Sequence, residues 1–222
     1  MKKKPELNVM LDLETLGVSE NSVVLSFALA NFKLDDTAED QPESVEIYAR
    51  LPITPQVFAG REIDKDTVKW WSEKAPKESK EEVSKLQPQV SIEYLGLAND
   101  KNRYFDCDRD IEYALREVDN VLRTWATYYD IVIWSRGIDF DIPMFESLYK
   151  TFIPDYKAPW RYHSKRDVRT WLSTARYLGW DDTERTDNSH TALGDVRNQI
   201  GTVQRACSML KDLVTPSSDE CE

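Results

Sequence analysis

Cysteine, histidine and glycine are all scarce in this sequence, and each shortage removes a class of function. The three cysteines, Cys107, Cys207 and Cys221, form no C-x-x-C pair and no even framework. A disulfide scaffold is therefore excluded, and the thiols read as reduced, as in a cytoplasmic protein. With only His163 and His190 beside them, no structural zinc site is expected. Any metal is expected to be held by oxygen, which favours Mg2+ or Mn2+. No glycine-rich loop follows the first apolar strand, which disfavours a dinucleotide or P-loop site. Apolar runs are too short for a membrane span, and the basic start MKKKPELN lacks the apolar stretch of a signal peptide, so no membrane partner is expected. Positive charge is in deficit too: 29 Lys and Arg against 40 Asp and Glu leave a formal net of −11. That rules out a generally basic nucleic-acid coat. An enzyme acting on nucleic acid stays open, because a site that recruits divalent cations needs clustered carboxylates.

The 222 residues suit one α/β domain, taken as residues 1–211, with an acidic tail at 212–222 expected to be disordered. Strand patterns at Val9–Gly17, Val23–Phe32 and from Ser44 predict an antiparallel meander with an acidic loop between the second and third strands. Asp64 or a nearby Thr starts a helix that places Val68, Trp71 and Ala75 on one face, and a short helix follows over Ser79–Leu86. From Asp108 to Tyr129 the apolar residues recur at spacings of three and four, the clearest helix in the chain. Asp130–Ser135 is a compact buried strand, after which Pro143 suits the first turn of a helix. Asp167 and Gly179 read as the N- and C-caps of another helix, and Ser189 as the cap of the last. Together these elements predict a mixed sheet covered by helices.

Two acids interrupt the first strand. Asp12 and Glu14, two apart in an extended chain, project from one face. At about 4 Å and an effective dielectric of about 20 their repulsion is on the order of 4 kcal/mol if both are ionised. The offset comes from a nearby Arg or Lys, a shared proton, water at the strand end, or a bound cation. Further acids stand at later element ends, Asp139 and Asp141 after the buried strand and Asp195 in the last helix. If the strands are neighbours, these acids converge, and converging carboxylates demand cations. Two divalent ions side by side can activate a water and stabilise the leaving oxygen of a phosphodiester. His190 and Asp195 are five positions apart, about 140° around a helix, so they do not ligate one ion together. Asp195 suits a fixed ligand, and His190, whose unperturbed pKa is near neutral, suits a proton acceptor.

DLETLG, then FDIP, then HTALGD resemble the three motifs of the DEDDh 3′–5′ exonucleases, an RNase H-like superfamily. The stretches at Gly60–Trp71, Trp134–Asp141 and around Asp167 look like the branch containing the phage exonuclease A (DexA) and its bacterial exoribonuclease relatives. The resemblance runs over about residues 8 to 210. It implies an RNase H-like fold with a mixed five-stranded sheet flanked by helices. It also implies that Asp12, Glu14, Asp141 and Asp195 hold two Mg2+ or Mn2+ ions, with His190 as general base. The motif selects Phe140-Asp141, while Asp139 stays as the alternative third ligand. Two departures stand out: the Asn usual upstream of that Phe-Asp is absent, and Gly194 stands where relatives often carry an acid.

The implied activity removes nucleoside 5′-monophosphates from the 3′ end of single-stranded DNA, with RNA 3′ ends as the alternative. The implied setting is the cytoplasm, that of the host if the chain is phage-encoded, and the implied state a monomer or homodimer. Trp70, about 100° from Trp71, is the candidate for stacking on a base. Arg61 is a candidate phosphate contact, as are Arg166 and Arg169, against ordinary ion pairing. Leu16 and Gly17 resemble residues lying against the terminal nucleotide, with Gly17 allowing close backbone approach. Rival readings are a non-catalytic binding module on the same fold and an acidic DNA mimic; neither accounts for acids placed within apolar strands.

Overall fold

Apolar alternation in the N-terminal half builds an antiparallel meander. Its strands are β1 (Glu6–Thr15), β2 (Val24–Phe32), β3 (Val45–Arg50), β4 (Gln89–Tyr94) and β5 (Arg103–Asp106), each paired antiparallel to the next. On the other side of β1 the sheet turns parallel. There β6 (Asp130–Ser135) pairs with β1, and the short β7 (Lys165–Asp167) pairs with β6. The order is β5-β4-β3-β2-β1-β6-β7, so β1 and its two acids lie at the junction of the antiparallel and parallel halves. This computed structural model describes residues 3–34, 42–84, 89–94, 102–106, 111–181 and 190–214.

Helices cover both faces. On one face α4 (Ile111–Tyr128) and α5 (Asp141–Phe152) bury Leu115, Val118, Leu122, Phe145 and Leu148 against Leu7, Val9, Leu11 and Leu13 of β1. On the other, α6 (Val168–Tyr177) and α7 (Ala192–Val214) pack Val168, Ala192, Val196 and Val203 on Met10, Ala28 and Trp134. Full burial of one such side chain stabilises the fold by about 1.5–3 kcal/mol. The short helices α1 (Ile53–Phe58), α2 (Lys65–Glu73) and α3 (Lys77–Ser84) fill the connection from β3 to β4. Gln56 of α1, fully buried, ties that connection to β2 by accepting from Val24 N–H (2.9 Å) and donating to Val24 O (2.7 Å).

The mixed sheet flanked by helices matches the expected class, but among the described residues it has seven strands rather than five. The additional strands leave little trace in the pattern. β4 carries only Val90 and Ile92 as buried alternating positions, and β7 is three polar residues at an edge. The caps agree with expectation: Asp64 and Asp167 accept the N–H groups of Thr67 (2.7 Å) and Thr170 (2.6 Å), and Gly179 takes a positive φ of 97° after α6. Val68 does not share the buried face of Trp71 and Ala75 but is 41% exposed, because the contact made by α2 is narrower than its apolar stripe. The last helix continues to Val214, past the expected boundary at 211. Ser189, the start of the long helix at 108–110, the end of the short helix at 85–86, and residues 215–222 of the tail lie outside the described residues.

Candidate active site

Strand alternation sends Leu11 and Leu13 to one core and leaves Asp12 and Glu14 on the opposite face, beneath α7. Asp195 arrives from above in the first turn of α7, and Asp141 from the side in the first turn of α5. The carboxylate oxygens of Asp12, Glu14 and Asp195 can all lie within 4.8 Å of one another. With Asp141 they line a cleft of about 290 Å³, which His190, Gln199, Arg136 and Arg169 also border. Asp141 is 5% exposed, and its Oδ2 accepts the N–H of Gly137 (3.3 Å) across the turn leaving β6. Asp139 is exposed in that turn and does not border the cleft, so of the two candidates Asp141 is the one brought to the other acids.

Burial and mutual repulsion act on these acids together. Burial first, then Asp141, Glu14 and Asp195, push the Asp12 carboxyl well above its ordinary range, while a hydrogen bond from Gln199 pulls it back. Burial and the charges of Asp195, Glu82 and Asp141 raise Glu14 to about 9. Burial raises Asp141 to about 7 against the opposing Gly137 N–H and Arg169. Asp195 is raised by burial too, with His190 and Arg136 pulling the other way. Such a set is costly to ionise without a counter-charge. It consists of hard oxygen donors suited to Mg2+ or Mn2+, and a divalent cation would relieve both burial and repulsion.

His190 stands at the rim, just ahead of α7. Its backbone φ is +44°, a region that few side chains with a Cβ adopt and one that favours functional sites as places to look. Thr191 caps the helix behind it, its Oγ1 accepting the Gly194 N–H (3.3 Å) and its carbonyl the Asp195 N–H (2.8 Å). Trp70 packs edge-on against the His190 ring at 5.9 Å and against Trp71 at 5.3 Å. Trp71 itself is buried, its indole N–H donating to Thr15 O (2.9 Å), whereas Trp70 is half-buried beside His190.

Three expected substrate contacts, Arg61, Leu16 and Gly17, do not border the cleft. Arg61 is 3% exposed and away from the cleft. Its guanidinium donates to Ser22 O, Glu20 O, Ser147 Oγ and Thr151 Oγ1, clamping the β1–β2 turn to α5, and burial lowers it to about 10. Leu16 packs with Trp70 and Trp71, and its backbone groups are taken by Val23 O (2.8 Å) and Asp64 N–H (2.7 Å). Gly17 is needed for a close approach, but to Ser22, whose Cβ would lie 3.0 Å from an added methyl.

Sequence reasoning passed over three residues. Gln199, one turn beyond Asp195, donates to Asp12 Oδ1 (2.7 Å); the four-residue helical spacing was the available signal. Arg136 follows β6 directly and borders the cleft. Glu82 of α3 accepts from Tyr48 OH (2.7 Å) and Ser26 Oγ (3.4 Å) and adds its charge to Glu14 and Asp195; nothing in the surrounding charged helix distinguishes it. No curated protein gives a significant match to the chain. The model of the 3′–5′ exoribonuclease Rv2179c-like domain matches residues 7–207, from the start of β1 to deep within α7, and therefore spans every acid of the cleft. A cleft lined by four carboxylates inside a match of that extent settles the kinship: the chain belongs to the Rv2179c-like 3′–5′ exoribonuclease domain family.

Proposed function

We propose that the chain is a divalent-metal-dependent 3′–5′ exonuclease of the DEDDh type that removes nucleoside 5′-monophosphates from single-stranded 3′ ends. The observation that carries this reading is the set of three carboxylate groups whose oxygens fall within 4.8 Å of one another, with Asp141 and His190 on the same cleft. Asp12, Glu14, Asp141 and Asp195 would hold two Mg2+ or Mn2+ ions, which when bound polarise the scissile phosphate and acidify a water. His190, at the open rim, takes the proton from the attacking water. The water oxygen bonds to phosphorus, the bond to the 3′ oxygen of the preceding nucleotide breaks, and that oxygen is protonated as the mononucleotide leaves. Arg136 and Arg169 face the phosphate, and Trp70 stacks beside the terminal base.

The test is a time course on 5′-labelled DNA and RNA strands of one sequence, in Mn2+ and in EDTA. A metal-dependent ladder shortening from the 3′ end is expected. The faster strand identifies the substrate: DNA was the expectation drawn from the sequence, and the family description names RNA. Asp12→Ala and Asp195→Ala are expected to abolish the ladder, and an unchanged rate in either would overturn the assignment.

A further inference from the structure

We propose that Gln199 is a positioning residue: its amide holds Asp12 so that one carboxylate oxygen is occupied and the other is presented to a cation. The inference rests on the metal-dependent reading above and concerns how the first of its carboxylates is aimed.

Gln199 lies on the α7 face that covers β1, one turn beyond Asp195, and is 6% exposed in the wall of the cleft. Its Nε2 donates to Asp12 Oδ1 at 2.7 Å. Its own Oε1 is buried and has no hydrogen-bond partner among the described residues. A buried amide that leaves its acceptor unsatisfied is oriented by whatever its donor serves. Here that is Asp12: once a cation holds Asp12 ionised, turning the amide over would set its oxygen against a carboxylate oxygen, two acceptors facing each other. Packing alone does not call for glutamine at this point: Val196 and Val203 fill the same layer with apolar side chains.

The residue type suits the task. Lysine or arginine would also donate to Asp12, but would cancel a negative charge that the cleft needs to attract cations. Glutamine supplies a donor with no charge. Outer hydrogen bonds of this kind fix the orientation of ligating carboxylates, and their loss typically weakens metal binding by ten- to a hundredfold.

Gln199→Met keeps the length of the side chain and removes the donor. Calorimetric titration of Mn2+ into the metal-free wild type and variant is expected to show binding weakened about tenfold, while the thermal midpoint in EDTA is not lowered. A variant that binds Mn2+ as tightly as wild type would overturn the proposal. So would one whose midpoint in EDTA falls while its Mn2+ affinity is unchanged, since that is the signature of packing. If Gln199→Met does not fold, Gln199→Asn, whose amide stops one methylene short of Asp12, is expected to show the same loss of affinity. A wild type that binds no Mn2+ overturns both this proposal and the metal-dependent function. A wild type that binds Mn2+ normally but cuts neither strand overturns the function alone.

Discussion

Arg61 and Glu82 show how burial and partners decide what a charged side chain does. Arg61 looked available for phosphate, yet carbonyls and hydroxyls of its own chain take its N–H groups. Replacing it with Met is expected to lower the unfolding free energy by roughly 2–4 kcal/mol, measured by urea denaturation, with the KM for a strand unchanged. A raised KM at unaltered stability would return Arg61 to substrate binding. Glu82 is the opposite case, a side chain from a charged surface helix whose carboxylate is anchored by Tyr48 and Ser26 beside the cleft. Glu82→Gln keeps the shape and removes one charge near Glu14 and Asp195. The Mn2+ concentration for half-maximal activity is expected to rise roughly two- to fivefold, the scale of a single partly solvated charge. No change would show that Glu82 serves only to dock α3.

Among the elements, β1 was the most legible, because alternation fixes which way each side chain points: Leu11 and Leu13 had to enter one core, which left Asp12 and Glu14 on the other face. Helix caps were legible for the same local reason, Asp167 accepting the Thr170 N–H three residues on. Long-range partners were not. The contact of Gln199 with Asp12 spans 187 positions in sequence, and no local pattern encodes which strand a helix face will meet. β7 was hidden because an edge strand of three charged residues has no apolar side to display. The turn after β1 joins local and distant causes. Gly17 sits against Ser22, and Ser22 O is gripped by Arg61, so the turn is closed from both sides. Gly17→Ala is expected to cost about 1–3 kcal/mol, seen as a lowered thermal midpoint in EDTA. An unchanged midpoint would show that Ser22 gives way freely.

Across the whole molecule, the four acids make stability depend on pH in an unusual direction. Glu14 is raised to about 9 and Asp141 to about 7, whereas in the unfolded chain both titrate near the ordinary values of 4.5 and 3.8. Between these limits the folded chain holds more protons than the unfolded one, so stability falls as pH rises. In EDTA the thermal midpoint is expected to drop between pH 5 and pH 9 on this account, and saturating Mn2+ to reverse the drop by binding the ionised acids of the folded state. A midpoint in EDTA that stays level across that window would show that the acids ionise freely. The same acids come from β1, α5 and α7, at positions 12, 14, 141 and 195. During synthesis, then, Asp12 and Glu14 exist long before Asp195 is made. A growing chain therefore carries Asp12 and Glu14 as an isolated pair, and the four-acid cleft exists only once α5 and α7 have packed beside β1.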